Sequence, residues 1–246
     1  MNAKTVHSAL SCEAALIRIS GFPLSISIRP DVEEHVAVLV GENLRRNHYL
    51  KILDLAKRHF QNLNVQVLEL RKLATGEVGI TPAFGAAIAE AAGVCLESQS
   101  HIAERTFLTI KSFSPSSDLL ERQAQLTWPT VTLQALQCWK DETSATEHGA
   151  VAVAILVVQN ILGKKVVERS YRGTGFDYWL GETNESDDLF EKKERLEISG
   201  IRAGDPSVLR RRIAEKEKQT QRSDGIYPAI VIVIEFGQPL GHISRR

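Results

Sequence analysis

VVERSYRGTGFDYWL, residues 166–180, carries the pattern on which the fold turns. Val166–Tyr171 reads as a short β-branched strand, Arg172-Gly173-Thr174-Gly175 as a tight turn, and Phe176–Leu180 as a second strand with alternating faces. The Gly-Thr-Gly segment lacks the spacing of a phosphate-binding loop and leads into a strand, not a helix, so it is read as a turn alone.

Upstream, Ser144–Leu162 predicts a helix whose Ala150–Val158 run leaves almost no polar face, which requires burial on all sides; Gly163 stops it. Downstream come an acidic loop over 181–194, a third strand at Arg195–Gly200, a charged helix from Pro206 to about Gln221, and Ala229–Phe236 (AIVIVIEF). That last strand is apolar throughout and has to be covered on both faces. Before residue 138 the pattern is weaker. Ser25–Arg29, Val65–Leu70 and Phe107–Phe113 suggest strands, Asp31–Phe60 contains a helix, and Pro82–Gly93 has helix punctuation at both ends, with small residues that allow close packing. Ser114–Asp118 reads as a loop, followed by a short helix into Trp128. The expected class is α/β, with a helix, three strands, a helix and a strand in the C-terminal half (139–246) and a smaller α/β region at 1–138.

Three acids fall at particular places in this order. Glu147 is near the start of the first helix, Asp177 is in the second strand, and Glu197 is in the middle of the third, two residues before Ser199. Side chains two apart on a strand share a face, and a neighbouring strand can bring Asp177 beside Glu197. Two converging carboxylates repel unless a cation lies between them, which suits a hard ion such as Mg²⁺. Each acid also has a structural explanation. Ser144-Ala-Thr-Glu147 is a capping-box pattern, and Asp177 and Glu197 could be the polar positions of half-exposed strands.

With these residues in place, the C-terminal half resembles the PD-(D/E)xK nuclease superfamily, whose restriction-endonuclease-like core has the same element order. The family's acidic positions fall on Glu147, Asp177 (GTGFDYWLG) and Glu197 (LEISG), over residues of about 139–240. The resemblance implies a nuclease that hydrolyses phosphodiester bonds of DNA, or RNA, with Asp177, Glu197 and Glu147 holding Mg²⁺ or Mn²⁺. It also implies cellular roles such as anti-phage defence, restriction or repair. Where the family has Lys, this chain has Ser199. In some members the basic group migrates to the following helix, which here offers Lys216, Lys218 and Gln219, with Lys216 and Gln219 ranked first. Arg210 and Arg211, within the basic run 210–212, are candidates for the nucleic-acid backbone, and Trp179 for stacking on a base. The alternative is a catalytically silent nuclease-like fold that binds nucleic acid or serves as a structural subunit, or an enzyme completed by a partner chain.

Composition bounds the rest. The 246 residues carry 30 basic and 30 acidic side chains, balanced within each half, so nucleic acid would be met by a local patch and not by a global field. Three scattered cysteines exclude a disulfide framework, and seven histidines show no metal-ligand spacing. The longest apolar run, Ala150–Val158, falls short of the roughly 20 residues of a membrane span, and the opening residues lack an apolar leader. These features point to the cytoplasm and away from a membrane. The region 1–138 is left as a contact surface for a protein partner, substrate or second copy.

Overall fold

A computed structural model describes residues 14–19, 22–27, 65–114, 117–182, 194–223, 225 and 227–246. The chain divides into two units, residues 1–60 and 61–246. Within the first, strands β1 (Ala14–Ile19) and β2 (Phe22–Ser27) pair antiparallel, from Ala14 opposite Ser27 to Ile19 opposite Phe22. The helix expected in 31–60 lies outside the described residues, as does most of the acidic loop, 183–193.

The second unit is a mixed α/β structure. Its strands are β3 (Gln66–Glu69), β4 (Thr106–Ser114), β5 (Ser117–Thr127), β6 (Lys164–Arg169), β7 (Tyr178–Glu182), β8 (Glu194–Ile201), β9 (Ala229–Glu235) and β10 (Leu240–Arg245). They form one sheet in the order β3-β5-β4-β10-β9-β8-β7-β6. The helices are α1 (Pro82–Ser98), α2 (Leu133–Cys138), α3 (Glu142–Leu162) and α4 (Pro206–Thr220), with a 3-10 turn at Leu70–Thr75.

The boundary expected at 138/139 therefore falls inside a single unit. β10 pairs with β4 on one side, parallel, and with β9 on the other, antiparallel, so strands from before and after α3 share one sheet. Pairing between residues so far apart in sequence leaves no local composition change to read. Other elements differ from expectation as well: the second strand, expected at Phe176–Leu180, runs Tyr178–Glu182, so Asp177 lies just ahead of it instead of within it. Residues 117–127 form a strand instead of a loop and helix, because Leu120, Arg122, Ala124 and Leu126 alternate with Glu121, Gln123 and Gln125. α1 continues through Gly93 to Ser98, since a Cβ at Gly93 would come within 3.1 Å of Val131 and 3.2 Å of Trp128: the glycine serves packing, not termination.

α3 is the helix around which the core is built. By length and composition it could cross a membrane, but Ala150 and Ala152–Val158 are buried against α1 and the sheet. Small residues set the α1–α3 contact: a Cβ on Gly149 would lie 3.1 Å from both Ala92 and the Cys95 sulfur. All seven residues of β9 are buried. Ile230, Ile232 and Ile234 face the α3 core, while Val231 and Val233 meet Val208, Leu209 and Ile213 of α4 on the other face. At about 1.5–3 kcal/mol for each fully buried aliphatic side chain, β9 is the sheet's main apolar anchor.

Candidate active site

β7 and β8 pair over only three positions, Tyr178 with Leu196, Trp179 with Arg195 and Leu180 with Glu194, whereas β8 follows β9 from Arg195 to Ile201. The two strands part beyond Leu196, and Asp177 stands at the fork. Its backbone N–H donates to Leu196 O at 2.8 Å, continuing the ladder by one bond. The next free amide of β8, Ile198 N–H, then donates to Asp177 Oδ2 at 2.8 Å. A side chain thus replaces the missing strand partner and fixes the Asp177 carboxylate against β8.

Glu197 and Ser199 point from β8 toward α4. Glu197 is 1% exposed; its Oε1 accepts from Lys216 Nζ at 2.6 Å, and Lys216 also donates to Gln219 Oε1 at 3.2 Å. The second oxygen, Glu197 Oε2, is buried without a hydrogen-bond partner. Burial and the neighbouring Asp177 charge together outweigh Lys216 and push the Glu197 carboxyl up to about 7. Asp177 is raised as well: burial leads, opposed by the Ile198 amide, Lys216 and Arg169 and reinforced by Glu147. Ser199 Oγ accepts from Arg212 Nη1 at 2.9 Å, and the same nitrogen lies 3.4 Å from Gly200 O.

Asp177, Ser199, Arg212 and Lys216 border a cleft of about 280 Å³; Glu197 and Gln219, both bonded to Lys216, do not line it themselves. Phe84 of α1 and Glu147, His148 and Val151 of α3 form one wall, Arg169 of β6 lies beside Asp177 and Tyr178, and Arg212 and Lys216 close it from α4. Two glycines permit the close approach. A Cβ on Gly200 would lie 2.5 Å from Thr146 O, so only glycine lets α3 settle on β8 at this point. Gly175, at φ +85°, sits in the turn before Asp177, where a Cβ would be 2.6 Å from Gln219 O at the end of α4.

The structure brings together four of the five acid and base candidates: Asp177, Glu197, Lys216 and Gln219. Glu147 lines the same cleft, but it does not join the other two carboxylates in a ligand group: among the described residues no cluster of three or more His, Cys, Asp or Glu side chains could hold a metal. Nor does it belong to a capping box at Ser144. Asp141 is the N-cap, its Oδ1 accepting from Ser144 N–H at 2.6 Å, so the helix starts earlier and Glu147 stands on its second turn. Arg210 and Arg211 are exposed, and Arg211 faces Glu215 at 3.8 Å. Of the basic run only Arg212 lines the cleft. Trp179 does not line it either; it packs edge-on against Phe176 and Tyr227, with ring centroids 4.7 and 5.5 Å away.

From sequence alone Arg169 reads as a surface pairing residue, Arg212 as part of the basic run, and His148 as a neighbour of Glu147 able to approach the site; all three line the cleft. Helical phase would have found Arg212, which lies one turn before Lys216 on the same face of α4. His148 is tied by Nδ1 to Ser144 O at 2.8 Å and tilts against Trp139. The residues present fit a divalent cation. Two hard carboxylates sit at one fork, one oxygen of Glu197 has no partner, and a cation between them would offset the burial that raises both and the Asp177 charge that further raises Glu197.

Comparison of the sequence with models of known protein families finds no match, and comparison with curated proteins finds none either.

Proposed function

We propose that this chain is a metal-dependent nuclease of the PD-(D/E)xK kind, hydrolysing phosphodiester bonds in DNA or RNA. The observation that carries the reading is the convergence of Asp177, Glu197 and Lys216 at the β7/β8 fork, with Lys216 delivered from α4 where the chain has Ser199 instead of lysine. Support also comes from the order α3, β6, β7, β8, α4, β9, the restriction-endonuclease-like order that the resemblance implies. In this reading Asp177 and Glu197 hold Mg²⁺ or Mn²⁺. When bound, such an ion supplies Lewis-acid polarisation of the phosphate and a lowered pKa for water. Asp177 is oriented for that task by the Ile198 amide. Glu197 keeps one oxygen on Lys216 and has the other, buried and unpartnered, for the ion. Lys216, steadied by Gln219, holds a positive charge beside the two acids, and Glu147 orients solvent from the α3 wall.

The same Lys216–Glu197 contact favours a second reading, in which the lysine satisfies the acid permanently and the fold binds nucleic acid without cutting it. The deciding experiment incubates purified chain with mixed DNA and RNA substrates in Mg²⁺ or Mn²⁺, beside Asp177→Ala and a metal-free control. Cleavage that needs both metal and Asp177 is the expected result. A folded chain that binds substrate and leaves it intact moves the assignment to the silent fold.

A further inference from the structure

Lys216 has its ammonium committed to Glu197 and Gln219, so the charge facing a substrate must come from elsewhere in the cleft. Two arginines line it, one from each side of the fork: Arg169 at the end of β6 and Arg212 on α4. Arg212 is held through one nitrogen only, Nη1, by the Ser199 hydroxyl and the Gly200 carbonyl. Its Nε faces Glu215 at a loose 3.6 Å, and its Nη2 donors are left for a ligand. A guanidinium presents donors in a planar fork that matches phosphate oxygens, so anchoring one branch aims the other. Ser199 is what makes the anchor. A lysine at that position would set an ammonium against the guanidinium, whereas a hydroxyl accepts its hydrogen bond.

We propose that Arg169 and Arg212 form a clamp for the non-bridging oxygens of one phosphodiester group, with Ser199 as the positioning residue for Arg212. The assignment of the anion as a phosphodiester rests on the nuclease reading; the clamp itself rests on the cleft. Asp177 and Glu147 share the cleft wall and repel an anion, so the clamp works beside a cation at the carboxylates.

Two titrations test this on the full chain. In the first, a labelled single-stranded and a duplex oligonucleotide are bound in Ca²⁺ at several salt concentrations, using wild type, Arg169→Ala, Arg212→Ala and Arg212→Lys. In the second, inorganic phosphate is added with and without Mg²⁺ while the arginine Nε–H resonances are followed by NMR. Each alanine variant should weaken oligonucleotide binding about tenfold and reduce the salt slope, by no more than the roughly 0.7–0.9 of the one phosphate contact that the two arginines share. Arg212→Lys should keep the salt slope and lose affinity, since the charge remains and the fork does not. Phosphate should shift the Arg169 and Arg212 resonances. Arg169 is exposed, so its variant should fold; melting curves check Arg212→Ala, and Arg212→Lys covers its failure. An oligonucleotide that the wild type binds in Ca²⁺ and cleaves when Mg²⁺ replaces it, with unchanged affinity and slope in the alanine variants, overturns the clamp and leaves the nuclease standing. Phosphate binding at both arginines by a chain that ignores oligonucleotides keeps the clamp and removes the nuclease. Silence in both titrations removes both.

Discussion

Lys216 Nζ lies 2.6 Å from Glu197 Oε1, and the carboxylate it meets is 1% exposed, with its other oxygen unpartnered. The pair joins α4 to the middle of β8, and its lysine lines the cleft. Breaking one side of a buried pair leaves the other charge without compensation, at a cost of about 3–5 kcal/mol. Lys216→Met should therefore lose stability toward the lower end of that range at pH 8, and less at pH 5.5, where Glu197 takes up a proton. Urea unfolding at the two pH values measures the difference; an equal loss at both would place the cost in packing and not in charge.

The raised Glu197 carboxyl makes a pH prediction for the metal-free protein. Its folded value of about 7 stands above the unfolded 4.5, so between these limits the folded state keeps a proton that the unfolded state has released. Stability contributed by this group is thus present below about 4.5, falls as pH rises to 7 and is flat beyond, a loss of roughly 3 kcal/mol. Thermal midpoints between pH 5 and 8 should follow that decline in wild type. Glu197→Gln should flatten it.

Divalent cation should act in the opposite sense. Mg²⁺ or Mn²⁺ binds deprotonated carboxylates, so it should raise the thermal midpoint at pH 8 far more than at pH 5, with proton release on titration. Asp177→Asn and Glu197→Gln should each remove the effect. Glu147→Gln should remove less of it, because Glu147 stands outside the two-carboxylate fork. Gln219→Ala, which frees Lys216 on one side, should cost about tenfold in metal affinity, as loss of an outer-shell partner does.

Ser199→Lys introduces the lysine of the PD-(D/E)xK pattern and should destabilise this chain, because it brings an ammonium against Arg212. Ser199→Lys combined with Arg212→Ala should recover part of the loss. A coupling of about 1–3 kcal/mol between the two sites is the expected scale for contacting residues, and chemical unfolding of the four proteins in the cycle measures it.

Gly200→Ala is the most local test of how the cleft is built. The added methyl meets a backbone oxygen of α3 at 2.5 Å and has no flexible neighbour to displace. The helix must lift, at about 1–3 kcal/mol, and Glu147 moves with it. Hydrogen exchange should show weaker protection in the first turns of α3, with the far end of the helix unchanged.

Most of the C-terminal architecture was legible because its elements carry strong local patterns. The apolar helix (142–162 against an expected 144–162), the strand at 229–235 and the helix from Pro206 lie where periodicity and punctuation put them. β5 was hidden because one face looks to solvent and its polar half resembles a loop. β10 was not foreseen at all: LGHISR is short, and what makes it a strand is its two neighbours, far away in sequence. At the cleft, the acids could be found from their place in the strand order. Arg212 could have been found from its helical phase with Lys216, whereas Arg169 could not, since it enters from a strand end.

The position of β10 bears on how the protein is made. Among the described residues, β10 (240–245) is the strand that joins the half-sheet β3-β5-β4 to the half-sheet β9-β8-β7-β6. On a ribosome, neither half can close on the other until that segment has emerged. Meanwhile β4 and the apolar β9 each show a bare strand edge able to capture another chain. Translation that stalls before residue 240, or a protease that removes the segment, would leave two open half-sheets and a chain inclined to aggregate.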